Sequence, residues 1–328
     1  MIDHLKIQNY KSIQLLDIPC KKVNVFIGEP NSGKSNIIEA VSLLSQNILT
    51  DKNFKEIIRN NNIGDLFFDM DITTPITIQT NEIEAELIYK KNEDGTTHNQ
   101  FTLNINNIKT GSQTVVYIYH DGTINNTSGI ITTPIRYYQY KRMIDFMGHY
   151  LTHLNPPYGD NLPIVLLNNK KIKNWVSDFF AEKEFILQLN PVKNEIQMTK
   201  SVDNVLYSHP YIVISETVQR IIFYIVAMDS NQNKTMLFDE PETNTFPFYT
   251  KFLAERIALD ETNQFFLTTH NPYLLLSLIE KSKSEDINVF VTKMKDYKTE
   301  VTLLNPEQVS ELLEYNSDAF FNLDNITA

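Results

Sequence analysis

Polar and apolar positions alternate in short runs through the first 27 residues. His4-Leu5-Lys6-Ile7-Gln8 predicts one strand, and a break at Asn9-Tyr10-Lys11-Ser12 separates it from a second over Ile13 to Ile18. Val23-Asn24-Val25-Phe26-Ile27 is a β-branched run that leads into glycine. From Asn36 to Leu49 the apolar residues Ile37, Ile38, Val41, Leu44 and Ile48 recur at helical spacing, so residues 23 to 49 read as strand, loop and helix.

Between about residues 70 and 135 the pattern changes to short β-rich runs, such as Glu84 to Tyr89, Phe101 to Ile105 and Val115 to Tyr119. Asp94-Gly95 and Asp121-Gly122 are hairpin signals, and the stretch reads as an antiparallel sheet inserted into something else. From about 140 to 185 the spacing is helical, broken at Asn155-Pro156-Pro157-Tyr158-Gly159, and residues 185 to 213 again favour short strands.

Beyond residue 213 the alternation becomes regular. Helices are expected over Glu216 to Met228, Tyr249 to Ala258 and Tyr273 to Glu280. Strands are expected at Thr235 to Phe238, Gln264 to Thr268, Asn288 to Thr292 and Thr299 to Leu303. Such alternation predicts a parallel sheet covered by helices. Asn305-Pro306-Glu307 then opens a terminal helix with a cap, a first-turn proline and a first-turn acid.

Composition narrows the class. With 328 residues, 42% of them hydrophobic, the chain has core enough for about two domains and is neither a disulfide scaffold nor a disordered tract. The single cysteine, Cys20, cannot form an internal disulfide, which agrees with a reducing compartment. Met1 to Gln8 is charged where a signal peptide needs an apolar run, and no stretch reaches the roughly 18 apolar residues of a membrane span. A soluble, cytoplasmic protein without a membrane partner is expected. The balance of 29 basic against 40 acidic residues, net −11, repels nucleic acid, so a DNA contact would need a local basic patch. A phosphate site escapes this argument because it works through backbone amides and one lysine.

Gly28-Glu29-Pro30-Asn31-Ser32-Gly33-Lys34-Ser35 fits G-x-x-x-x-G-K-[ST] at every fixed position, between an apolar strand and a helix that starts near Asn36. The glycines let the backbone curl around a phosphate, Lys34 adds a point charge between the β and γ phosphates, and Ser35 offers its hydroxyl to Mg²⁺. A dinucleotide fingerprint would require glycine where Pro30 stands. Thr235 to Phe238 ends in Asp239-Glu240, followed by Pro241-Glu242. Asp239 is assigned to the metal and Glu240 to the attacking water, the alternative being a solvated acidic turn. Phe265 to Thr268 leads to Thr269-His270-Asn271-Pro272, which puts His270 at the strand end where parallel sheets hold ligands, unless it is a structural histidine.

Leu5-x-Ile7-x-Asn9-Tyr10-Lys11-Ser12, the phosphate loop, Leu237-Phe238-Asp239-Glu240-Pro241-Glu242 and Thr268-Thr269-His270-Asn271-Pro272 together resemble the ABC-type ATPases of the SMC, RecF and OLD branch, often labelled AAA-family ATP-binding proteins. The resemblance spans residues 1 to 280 and implies an α/β P-loop NTPase head. That head has a mixed or parallel sheet core covered by helices, with an inserted antiparallel β and helical lobe. The chain is divided accordingly into an N-terminal core part (1–70), the inserted lobe (71–210) and a C-terminal core part (211–328). The same likeness implies ATP and Mg²⁺ as cofactors, held by residues 28 to 36, with Glu240 as catalytic base and His270 sensing the γ-phosphate. It implies also that two heads sandwich ATP, each completing its partner's site with a signature helix. The candidate signature is Val213 to Arg220, with Ser215 as the phosphate contact or simply as a helix N-cap; Glu216 and Thr217 depart from the family's glycine. Lys11 is a further candidate nucleotide contact, or an exposed loop lysine.

Three roles fit such a head. It could act on DNA in repair or maintenance, with Lys141, Arg142, Lys170, Lys171 and Lys173 as a sparse basic set. It could gate a protein partner encoded nearby, such as the effector nucleases and toxins of phage-defence operons, which the acidic balance favours. A transporter subunit fits least, because the signature lacks glycines. The chain has no long heptad arms between residues 50 and 210 and no room for a C-terminal nuclease domain, so phosphoryl transfer to water is the only chemistry expected of it.

Overall fold

The computed structural model describes residues 1–45, 54–90, 100–129, 132–147 and 151–326. Two sheets stack in the body of the molecule. The first has seven strands in the order β2-β1-β4-β5-β6-β7-β8, all neighbours antiparallel: β1 (His4–Tyr10), β2 (Ile13–Pro19), β4 (Ile76–Thr80), β5 (Ile83–Lys90), β6 (Gln100–Asn107), β7 (Gln113–Tyr119) and β8 (Ile124–Ser128). The second has six in the order β16-β15-β3-β14-β13-β9: β3 (Val23–Gly28), β9 (Ile135–Tyr138), β13 (Thr235–Phe238), β14 (Gln264–Thr268), β15 (Ile287–Lys295) and β16 (Lys298–Leu303). Its pairings are parallel except β15 with β16. A small antiparallel sheet, β10 (Ile186–Asn190), β11 (Glu195–Val202) and β12 (Val205–Pro210), stands beside them.

The six-stranded sheet is covered on both faces, which explains why its strands read as continuous apolar runs. Successive residues point to opposite cores. Val23, Val25 and Ile27, Met236 and Phe238, Phe265 and Leu267 face a core built with the helices Glu216–Asp229, Pro247–Ala258 and Pro272–Lys281. Phe26, Leu237, Phe266 and Phe290 face the other core, shared with the seven-stranded sheet and the helix Lys34–Ser42. Phe26 and Phe290, paired across β3 and β15, stack with ring centroids 5.0 Å apart.

The seven-stranded sheet is not confined to an insert. β1 pairs with β4, Leu5 opposite Thr80, so the strand pattern before residue 70 and the one after it form one sheet. Leu5, Ile7, Ile13, Leu16 and Ile18 give the β1–β2 hairpin an apolar face, and β1 needs a second neighbour to satisfy its remaining backbone groups. β9, which lies between residues 71 and 210, joins the central sheet through β13.

Two sequence expectations are corrected. Among the described residues of 140 to 185, helix is found at Leu162–Asn168 and Lys170–Ala181 alone. Ahead of them, the buried Asn161 accepts from the Asn155 amide at 2.7 Å and donates to the His153 carbonyl at 3.0 Å, so side-chain bonds and Pro156-Pro157 hold this stretch as loop. The helix after the phosphate loop runs Lys34–Ser42 and is followed by turns through Ser45; the remainder of the expected span, like Asp94-Gly95, lies outside the described residues. Asp121-Gly122 does turn β7 into β8, with Gly122 at φ 87°. The terminal helix Pro306–Tyr315 carries a capping box between Asn305 and Gln308. Among the described residues, no helix is long and apolar enough to cross a membrane.

Candidate functional site

β3 delivers the chain to Gly28 at φ 147°, and Gly33 at φ 97° turns it into the Lys34–Ser42 helix. Neither position tolerates a side chain. A Cβ on Gly28 would lie 2.2 Å from the Thr292 carbonyl oxygen, and one on Gly33 would lie 1.9 Å from Thr299 Oγ1. The loop is fastened from outside by Ser32 Oγ against Thr292 Oγ1 at 2.6 Å. Asn36 Nδ2 donates to Ser12 Oγ at 2.8 Å, and Ser12 in turn meets Thr299 Oγ1 at 2.7 Å. Lys34 is 4% exposed, and its ammonium curls back into the loop, donating to the Gly28 and Glu29 carbonyls at 3.0 and 2.7 Å. Burial lowers its pKa, while Glu240, Asp239 and Glu29 oppose that shift.

The parallel sheet brings the carboxylates to this loop. Asp239 and Glu240 follow β13, and Thr268 closes the adjacent β14, at the strand ends where such sheets place ligands. Asp239 Oδ1 accepts from Ser35 Oγ at 2.9 Å and from Thr268 Oγ1 at 2.6 Å. Burial raises the Asp239 pKa, and these two hydroxyls only partly offset it. The donor set, the Ser35 hydroxyl and the Asp239 carboxylate joined to it, is all oxygen, which suits a hard cation such as magnesium. Glu240 adopts a left-handed φ of 45°, and its amide donates to Thr268 Oγ1 at 3.0 Å. His270 Nε2 lies 3.2 Å from Glu240 Oε1. Burial and then Lys34 depress the His270 pKa, against Glu240 and Asp239, which favours the neutral imidazole.

A cavity of about 550 Å³ lies over this arrangement. Lys11, Ser12, Pro30, Asn31, Gly33, Lys34, Ser35, Asn36, Arg59, Glu240, His270 and Met294 line it. Gly28, Glu29 and Ser32 lie in the loop itself, and Asp239 stands behind Ser35. Lys11 reaches the rim but is already engaged: its ammonium pairs with Glu39 and donates to the Arg59 carbonyl at 2.7 Å. Burial lowers the Lys11 pKa in spite of Glu39. Ser215 does not line the cavity. It is exposed at the N-cap position of the Glu216–Asp229 helix, where its carbonyl accepts from the Gln219 amide at 3.1 Å and its side chain makes no capping bond among the described residues. Glu216 turns along its own helix to pair with Arg220 at 3.0 Å, which lowers its pKa.

Several contributors had not been assigned a role from the sequence. Arg59 enters the cavity wall and pairs through Nε with Glu39, a carboxylate only 3% exposed on the phosphate-loop helix. Thr268 orients both Asp239 and the Glu240 amide, and Thr292 and Thr299 buttress the loop from β15 and β16. Threonines inside apolar strands are ordinary, so only their position after folding distinguishes them.

Residues 120–277 match a family described as "AAA domain, putative AbiEii toxin, Type IV TA system"; the match includes Ser215, Asp239, Glu240 and His270 but not the phosphate loop. No curated protein matches the chain. Among solved structures, an SMC head bound to the C-winged helix domain of ScpA is similar over 94% of this chain and 99% of that one, with 17% identity and a TM-score of 0.54. The SMC head domain from Thermotoga maritima matches over 93% of this chain and 99% of that one, with 12% identity and a TM-score of 0.44. The chain therefore has the α/β fold of that SMC head, the fold that the four motifs implied.

Proposed function

We propose that this chain binds ATP with Mg²⁺ over residues 28 to 36 and hydrolyses it, and that two copies closing on ATP gate a protein partner. One observation carries the reading: Ser35 and Asp239, 204 residues apart in sequence, meet at 2.9 Å beside a buried lysine in a glycine-turned loop. The loop amides and the helix start bind the phosphates, and Lys34 exchanges its carbonyl partners for phosphate oxygens. Ser35 and Asp239 would hold the magnesium ion, which when bound neutralises charge on the phosphates. Glu240 orients and polarises the attacking water, and His270 Nε2, neutral and within reach of Glu240, fixes that carboxylate and reads the γ-phosphate. Lys11 is offered as a nucleotide contact that would first leave Glu39.

Closure of two copies is supported by Ser215 at the exposed start of a 14-residue helix, outside its own cavity, with a hydroxyl that makes no capping bond among the described residues. Glu216 does not oppose this, since Arg220 holds its charge. The family match and the net charge of −11 favour a protein partner, of the effector or toxin kind, over DNA. Analytical ultracentrifugation of Glu240→Gln tests the closure. A dimer that forms with Mg-ATP and dissolves without it is expected; a monomer under both conditions refutes it.

A further inference from the structure

Within Asp239-Glu240-Pro241-Glu242 the third acid has no place in the chemistry above, yet it is the most enclosed. Glu242 is 5% exposed. Its Oε1 accepts from Thr269 Oγ1 at 2.5 Å and from the His270 amide at 3.3 Å, while Oε2 is buried with no hydrogen-bond partner among the described residues. Burying a carboxyl is costly unless hydrogen bonds offset it, and here they reach one of its two oxygens.

What it does is tie two loops together. Glu240 and Glu242 share one turn, in which the Thr243 amide donates to the Glu240 carbonyl at 3.2 Å. Thr269 and His270 belong to the loop after β14. The first loop carries the carboxylate and the second the imidazole that stand 3.2 Å apart. Besides that pair, side-chain bonds cross between the two strand ends from Thr268 Oγ1, which meets Asp239 and the Glu240 amide, and from Glu242 Oε1, which accepts from Thr269 and the His270 amide. The Thr268 tie fixes Glu240. The Glu242 tie fixes the main chain from which His270 projects. Burial also favours the neutral acid, which keeps a third negative charge away from Asp239 and Glu240.

We propose that Glu242 is a positioning residue for hydrolysis, its buried carboxyl holding the His270 main chain so that the imidazole meets Glu240. The inference rests on the hydrolytic reading of this site. Because Glu242 touches neither the phosphate loop nor the cavity, its loss should leave nucleotide binding alone and slow the chemical step.

Steady-state ATP hydrolysis by the full chain tests it, with Glu242→Ala, Glu242→Gln, His270→Ala and the Glu242→Ala/His270→Ala double variant. Glu242→Ala should lower kcat by about tenfold with KM changed by less than about twofold, and glutamine, which keeps the Oε1 acceptor, should restore kcat to within about threefold of wild type. The double variant should be no slower than His270→Ala, since both changes remove one unit. A wild-type kcat for Glu242→Ala beside a slow His270→Ala overturns the inference alone, as does a double variant whose losses multiply. A wild-type kcat for His270→Ala instead refutes the reading of the site. Should Glu242→Ala not fold, Thr269→Val removes the hydroxyl donor from the same tie. It should then lower kcat at unchanged KM, and an unchanged kcat overturns the inference.

Discussion

Replacing Glu242 by glutamine should change how stability depends on pH. Burial pushes this carboxyl from the usual 4.5 up to about 7, against the pull of Thr269 and the His270 amide. Between those values the folded chain keeps a proton that the unfolded chain has released. The stability contributed by the protonated acid is therefore fully present below 4.5 and is lost as pH rises through about 7. At about 1.4 kcal/mol per pH unit, the gap amounts to about 3 kcal/mol. Glutamine has no proton to lose, and all other titrating groups are common to both proteins. Urea unfolding at pH 4.5, 6 and 8 (about the two ends and the middle of this range), followed through Trp175, the only tryptophan, reads the difference directly. Trp175 stacks on Phe179 and Phe252 at 5.5 and 6.2 Å and loses both on unfolding. The stability of Glu242→Gln minus that of wild type should grow by about 3 kcal/mol from the acid to the alkaline end. A difference that stays flat or shrinks with rising pH would refute the burial argument.

Two further outcomes follow from polar groups set in the core. Tyr138→Phe removes a hydroxyl that donates to the Leu154 carbonyl at 2.6 Å and accepts from Asn231 at 2.9 Å, and should cost about 1–3 kcal/mol in thermal or urea unfolding; an unchanged midpoint contradicts it. Burial pushes the Cys20 thiol up to about 12, so a chromogenic disulfide reagent at neutral pH should react with the folded chain at least about tenfold more slowly than with the chain in urea. Equal rates would show that Cys20 is not shielded.

The central sheet was legible because burial on both faces leaves an apolar run that periodicity detects, and because the turns at its strand ends carry the chemistry. Phe238 into Asp239 and Thr268 into His270 are visible for that reason. Pairing was less legible. Alternation marks β1 and β4 as strands but does not say that Leu5 faces Thr80, so the pairing that joins the first strands to the sheet after residue 70 was not legible. Residues 140 to 161 have apolar positions near helical spacing, but Asn161 satisfies two backbone groups of the preceding loop and removes the gain from a helix. Glu39 and Arg59 stay invisible for another reason. Each is an ordinary charge in sequence, and only folding makes one the buried anchor for two cations at the cavity rim. Glu242 was visible as part of a four-residue string, while its burial, and hence its separate role, is a property of the packed loops.

The account stands on a triphosphate bound in the loop from Gly28 to Ser35, and calorimetric titration of Mg-ATP into wild type and Lys34→Ala measures this most directly. Lys34 contributes a charged hydrogen-bond donor to the phosphates, worth about 2–3 kcal/mol, so its loss should weaken affinity on the order of a hundredfold while leaving the unfolding transition in place. Equal affinity in the two proteins would place the nucleotide elsewhere and contradict the assignment of the site.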